Sequence, residues 1–109
     1  LAADQVPQAG MGEYVKFFNR DAYTTTLASS LAYKTGKPVI YCSMNSDNNK
    51  NLFVSIKPCH ESIYNDSKRL HSMNNSIENL ININPKDYSW EYKRFKKAQP
   101  KNIDPYLKA

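Results

Sequence analysis

Leu70, Met73, Ile77, Leu80 and Ile81 recur at three- and four-residue spacing, which places all five on one face of a helix. Asn75, Ser76, Glu78, Asn79 and Asn82 fall on the other face. Pro85 cannot extend a helix and disfavours helical backbone at Asn84, so the element ends near that point. An amphipathic helix must bury its apolar stripe. In a chain of 109 residues, with room for one domain and a modest core, the other elements have to be arranged around it.

Beyond Pro85 the composition changes. Tyr88, Trp90, Tyr92 and Phe95 interleave with Lys86, Lys93, Arg94, Lys96 and Lys97. From residue 85 to residue 109 there are seven Lys or Arg against three Asp or Glu, a local charge of +4 within a net charge of +5. One reading packs the rings on the core and leaves the lysines in water. The other matches a dense set of cations beside rings to an anionic surface: a phosphorylated lipid, a nucleic acid or an acidic protein. Residue chemistry alone leaves these open. A mean hydropathy of −0.70 describes a polar chain, in which no apolar run reaches the length of a membrane span and no signal peptide is visible.

Upstream, Pro7, Gly10 and Gly12 make the first twenty residues mostly loop, with an extended piece over residues 14–18. Asp4 there reads as a turn or cap residue, and Arg20 as a surface ion-pair partner, unless both belong to a ligand wall. A helix is expected over residues 22–35, capped by Asp21 or Thr24, burying Tyr23, Leu27, Ala28, Leu31 and Ala32, and stopped by Gly36. The near-continuous apolar run at residues 39–44 predicts a strand covered on both faces. After a polar turn, Leu52, Val54 and Ile56 alternate with Phe53, Ser55 and Lys57 in a second strand that Pro58 ends. Residues 59–67 read as loop. The order strand, helix, strand, strand, helix is α/β.

A turn centred on Asn48 and Asn49 makes facing residues sum to 97, so that Cys42 faces Ser55 and Cys59 faces Pro38. The two sulfurs are then too far apart to bridge, and two free thiols fit a reducing compartment.

Several words of the sequence, in order, resemble the bacterial lipid A biosynthesis acyltransferases. They are Asp4-Gln5-Val6-Pro7, Gly10-x-Gly12, Phe17-Phe18-x-Arg20, Asn74-x-x-Ile77-Glu78-x-x-Ile81, Pro85 and Tyr88-x-Trp90-x-Tyr92-x-Arg94-Phe95-Lys96. The resemblance is to the late, lauroyl- or myristoyl-type enzymes and covers essentially the whole chain. It departs at Asn19, where the family usually has Gly, at Asp87, where Gln is usual, and at Ser89, which replaces a larger apolar residue. It implies the C-terminal part of a glycerolipid-acyltransferase-like mixed sheet flanked by helices, with residues 1–109 forming the end of a single acyltransferase domain.

Acyl transfer to a hydroxyl needs a general base and donors for the oxyanion. The resembled family draws its base from a His followed five positions later by Asp or Glu. Five residues past His60 stands Asn65, and five past His71 stands Ser76. No catalytic residue is therefore expected in this segment. The catalytic half and the membrane anchor are expected N-terminal to a chain that begins Leu1-Ala2-Ala3-Asp4. Two His and two Cys without short paired spacing suggest no metal site.

By resemblance, Asp4 and Gln5 shape the acceptor side, and Arg20 and Arg94 pair with phosphate or with acyl carrier protein. Lys93 and Lys96 add positive field, and Trp90 and Tyr92, if exposed, suit a membrane interface. The implied function moves an acyl chain from the thioester of acyl carrier protein, with no other cofactor, to a hydroxyl of a lipid A precursor. The implied partners are acyl carrier protein, a phosphorylated glycolipid and the membrane surface, at the cytoplasmic face of the bacterial inner membrane. Acylation of another lysolipid or glycolipid and a catalytically inactive remnant are the alternatives. A nucleic-acid-binding module fits the pI of about 9.2, but no recognised nucleic-acid fold pattern accompanies it, so no nucleic acid is expected as partner.

Overall fold

A computed structural model describes residues 1–97, 99, 105 and 106; the basic residues Lys101 and Lys108 lie outside the described residues. The elements are β1 (Gly12–Phe17), β2 (Arg20–Thr25), α1 (Leu27–Thr35), β3 (Ile40–Ser46), β4 (Leu52–Pro58) and α2 (Arg69–Ile83). Short 3-10 turns at Glu61–Tyr64 and Pro85–Asp87 flank α2. The architecture is mixed α/β: two antiparallel hairpins, β1–β2 and β3–β4, and two helices.

The α2 helix forms where its periodicity predicts. Leu70, Met73, Ile77, Leu80 and Ile81 are all buried, and the helix stops at Ile83, just before Pro85. It packs on β1, β3 and α1, and its Leu70, Met73, Ile77 and Ile81 join Phe17, Ala22, Ala32 and Ile63 in one apolar cluster. Asn74 is buried with them. Its amide donates to the Lys16 carbonyl at 3.3 Å and to Thr24 Oγ1 at 3.1 Å, tying α2 to both strands of the first hairpin.

The expected helix over residues 22–35 is strand at its start, over residues 22–25. Residues 20–25 pair with β1, Tyr14 opposite Tyr23 and Phe17 opposite Arg20, and α1 begins only at Leu27. The cause is the two-residue turn at Phe18 and Asn19, whose φ angles of 46° and 61° match the twist of a tight hairpin. Ala22 and Thr24 then alternate inward with no exposed surface. Asp21 pairs with Lys16 at 2.8 Å, and the Thr24 hydroxyl bonds the Ala22 carbonyl, so neither caps the helix. Thr26 occupies the cap position. Gly36 ends α1 in the left-handed region, as expected, with φ 63° and its N–H on the Ala32 carbonyl.

The buried stripe of α1 is narrower than expected. Ala32 and Ser29 are buried, whereas Leu27 and Leu31 are each 49% exposed. The β3–β4 hairpin is likewise covered on one face. Ile40, Met44, Leu52, Val54 and Ile56 share the other face and are all exposed, against the expectation of a strand buried on both sides. The register is also shifted by one residue. Cys42 faces Ile56, and Cys59 donates its N–H to the carbonyl of Val39 at 2.9 Å. Both cysteines are free thiols in the new register too.

Candidate substrate-binding site

The N-terminal loop and the tail after α2 bond to each other and to the first hairpin. Val6 donates its N–H to the Tyr92 hydroxyl at 2.7 Å, and Lys97 Nζ donates to the Pro7 carbonyl at 3.0 Å. Tyr23, from β2, accepts from the N–H groups of Gly10 and Gly12 at 2.9 and 3.2 Å. Gly12 has no room for a side chain. A Cβ there would stand 2.6 Å from the Thr24 carbonyl oxygen and 2.7 Å from the Pro7 ring. The motif residues Pro7, Gly10 and Gly12 thus serve to press the loop against the hairpin.

Arg94 lies beneath this junction. It is 3% exposed, donates from Nη1 to the Tyr23 carbonyl at 2.8 Å and from Nη2 to Thr24 Oγ1 at 3.1 Å, and stacks on Phe17. Its Nε, like the Tyr88 hydroxyl, is buried without a hydrogen-bond partner among the described residues. Burial lowers the pKa of the guanidinium, while Tyr88, Tyr92 and Asp4 act in the opposite direction. Tyr88 is pushed up to about 12, first by burial and then by the Asp4 carboxylate. Asp4 is half-buried and lines one groove together with Tyr88. Its neighbour Gln5 is exposed and bonds locally, N–H to the Ala2 carbonyl.

The remaining basic residues point outward. Arg20, Lys93 and Lys96 are exposed, and each stacks over a ring: Arg20 on Phe95 at 5.9 Å, Lys93 on Tyr106 at 5.7 Å and Lys96 on Tyr92 at 5.2 Å. None makes an ion pair among the described residues, where the salt bridges are Lys16–Asp21 and Arg69–Asp66. The rings hold the cations without neutralising them. Trp90 is 56% exposed and stands 6.1 Å from Phe18 at the hairpin tip, whereas Tyr92 is half-buried with its hydroxyl engaged.

A family model described as bacterial lipid A biosynthesis acyltransferase matches residues 1–97, which include Asp4, Gln5, Arg20, Lys93, Arg94 and Lys96. The chain belongs to this acyltransferase family. A comparison with curated proteins finds no match. Within the family's frame, the structure separates residues that the motif joins. Arg94 faces the protein, whereas Arg20, Lys93 and Lys96 face solvent.

Neither histidine stands in a nucleophilic arrangement. His60 Nδ1 accepts the Ser62 N–H at 3.1 Å and caps the first 3-10 turn, and His71 is exposed on α2. Among the described residues no group of His, Cys, Asp and Glu could hold a metal ion. No described helix is long and apolar enough to cross a membrane. No pattern marks Arg94 as buried. Asn74 stands four residues after Leu70 and three before Ile77, a spacing that places it on the apolar face of α2.

Proposed function

We propose that this chain forms the anion-receiving surface of a lipid A acyltransferase, with Arg20, Lys93 and Lys96 engaging the phosphates of a glycolipid acceptor and the acidic surface of acyl carrier protein. The observation that carries the reading is that these three cations are exposed, held over rings and free of ion pairs among the described residues. A guanidinium offers phosphate two parallel hydrogen bonds, and the ammonium groups add field. Arg94 acts from below, holding the tail on β2 so that its neighbours Lys93 and Lys96 stay outward.

In the reaction, an acceptor hydroxyl loses its proton to a general base and attacks the acyl thioester, and the carrier thiolate leaves. The thioester is the only activated group this requires. In this reading the base is supplied by another part of the enzyme, since neither His60, with Asn65 five residues on, nor His71, with Ser76, carries the acid of the resembled motif. Asp4 and Gln5 border the acceptor in this reading. The exposed Phe18 and Trp90 rest at the headgroup level of the membrane, at the cytoplasmic face of the bacterial inner membrane.

The test is binding of the chain to vesicles carrying a bis-phosphorylated diglucosamine lipid, to vesicles of neutral lipid, and to acyl carrier protein. Replacing Arg20, Lys93 and Lys96 together by Ala is expected to weaken binding to the phosphorylated vesicles and to the carrier by at least about tenfold, and added salt should do the same. Equal binding by the triple variant, with its circular dichroism unchanged, would overturn the proposal.

A further inference from the structure

The α2 helix carries one acidic side chain, Glu78, and spends it on the first hairpin. Glu78 Oε1 accepts the N–H of Phe18 at 2.5 Å. Phe18 and Asn19 are the two central residues of the β1–β2 turn, between the paired Phe17 and Arg20, and both have positive φ. A hairpin this tight keeps the twist of its strands only if both central residues hold that conformation, which is why Asn and Gly usually stand there. Phe at φ 46° is disfavoured by its Cβ, so the turn needs a restraint from outside. The ladder ends at Phe17 and Arg20 and gives the Phe18 N–H no partner, and a carboxylate is the strongest acceptor a side chain can offer it.

The body of the hairpin has other anchors. Asn74, one turn before Glu78 on α2, holds the Lys16 carbonyl and Thr24, and Arg94 holds Tyr23 and Thr24. Glu78 anchors the tip, so its loss frees the turn without releasing the strands. Arg20 follows the turn directly. Its guanidinium lies 5.9 Å from the centre of the Phe95 ring, and that ring lies 6.1 Å from Phe17, the residue paired with Arg20. The place of the cation is therefore set by the backbone at Phe18 and Asn19. A carboxylate this close to the tip could have cancelled the charge of Arg20. No salt bridge joins the two, and the carboxylate faces the backbone instead.

We propose that Glu78 is a positioning residue for Arg20: by holding the Phe18 N–H it fixes the positive-φ turn, and so keeps the Arg20 guanidinium over Phe95 and open to a phosphate group. The inference rests on the anion-binding role given to Arg20 above, and adds the α2 residue on which that role depends. Glu78 touches no substrate in this arrangement. It acts through two backbone residues.

The test reads the Arg20 Nε–H proton by NMR, and the binding of the chain to vesicles carrying a bis-phosphorylated diglucosamine lipid. Phe95→Leu defines the Arg20 signal in the absence of the ring. Glu78→Ala is expected to move that signal at least about half of the way to its Phe95→Leu position, and to weaken vesicle binding about threefold or more, as Arg20→Ala does. Glu78→Gln keeps an acceptor oxygen in the same place and should retain most of both. In an Arg20→Ala background, Glu78→Ala should weaken binding by less than about twofold, whereas a residue that merely supports the fold would weaken it equally in both backgrounds. An Arg20 signal unmoved by Glu78→Ala overturns the proposal, and so does an equal loss of binding with and without Arg20. Binding by Arg20→Ala equal to the parent's would sink the anion-binding role of Arg20 itself, and this inference with it, a result that the other two do not give.

Discussion

Arg94 donates from Nη1 to the backbone carbonyl of Tyr23 at 2.8 Å, joining the tail after α2 to the middle of the first hairpin. Its second bond, to Thr24 Oγ1, meets the same hydroxyl that Asn74 reaches from α2. Two separate stretches of sequence, the tail and α2, therefore converge on one buried β2 residue. Of the two arginines that the resemblance marks as ligand-binding, Arg94 is the one that the fold uses to hold itself together.

Replacing Arg94 by Ala leaves the Tyr23 carbonyl and the Thr24 hydroxyl short of a donor and opens a gap beside Phe17. The expected loss is roughly 3 kcal/mol, because bonds from a charged donor are worth more than neutral ones and the site is buried. Arg94→Lys should recover only part of it, since an ammonium does not span both acceptors as the guanidinium fork does. Urea unfolding followed by circular dichroism measures both. An Arg94→Ala variant as stable as the parent would remove the strut from the argument.

The core lies on α2, and side-chain truncations should show it. Met73 is fully buried, and Met73→Ala is expected to cost about 3 kcal/mol in the same unfolding experiment. Leu31, half-exposed on α1, should cost less than about 1 kcal/mol when cut to Ala. The reverse order would mean that Leu31 is buried as its spacing suggests and that the stripe of α2 is not the centre of the core.

The hairpin tip makes a sharper demand. Asn19 has φ 61°, a region in which Asn is tolerated and Gly is at ease. Asn19→Ala should destabilise by about 1 kcal/mol, while Asn19→Gly should be neutral or slightly stabilising. Thermal unfolding of the two variants against the parent gives the difference directly. Phe18 takes φ 46° beside it, and its N–H is held by Glu78 Oε1 at 2.5 Å, so a contact from α2 supports a backbone that Phe does not favour.

What could be read from the sequence, and what could not, follows from how local each signal is. The α2 stripe and its stop at Pro85 are local, and the structure places them where spacing does. The Gly36 cap is equally local. Residues 22–25, expected as helix, are strand because their state is decided by pairing with β1 across a turn of two positive-φ residues, neither of them Gly. The one-residue register error at Cys42 has a similar origin, since the loop between β3 and β4 bends at Lys50, another non-glycine with positive φ. For the site, charge density singled out the tail as a whole. The division between inward Arg94 and outward Lys93 and Lys96 depends on Tyr23 and Thr24, some seventy residues away, and no spacing rule reports it.

Tyr88 offers a measurement that needs no ligand. Its hydroxyl is pushed up to about 12 by burial and by the Asp4 carboxylate, above the usual tyrosine value near 10. The folded state therefore keeps a proton that the unfolded chain gives up, and the stability it contributes is fully present below pH 10. Between pH 10 and 12 the unfolded chain binds fewer protons, so stability falls as pH rises. Tyr41 adds to the same fall, its hydroxyl raised by burial and by Cys59. Tyr88→Phe should flatten the decline without removing the part due to Tyr41. Asp4→Asn should leave Tyr88 in place and shift its absorbance titration at about 295 nm to lower pH. Because Asp4 is the acidic residue of the N-terminal motif, that shift would report directly on its placement against the tail. A titration unmoved by Asp4→Asn would mean that the N-terminal loop does not reach Tyr88 in solution, and that the acceptor side proposed for Asp4 is built elsewhere.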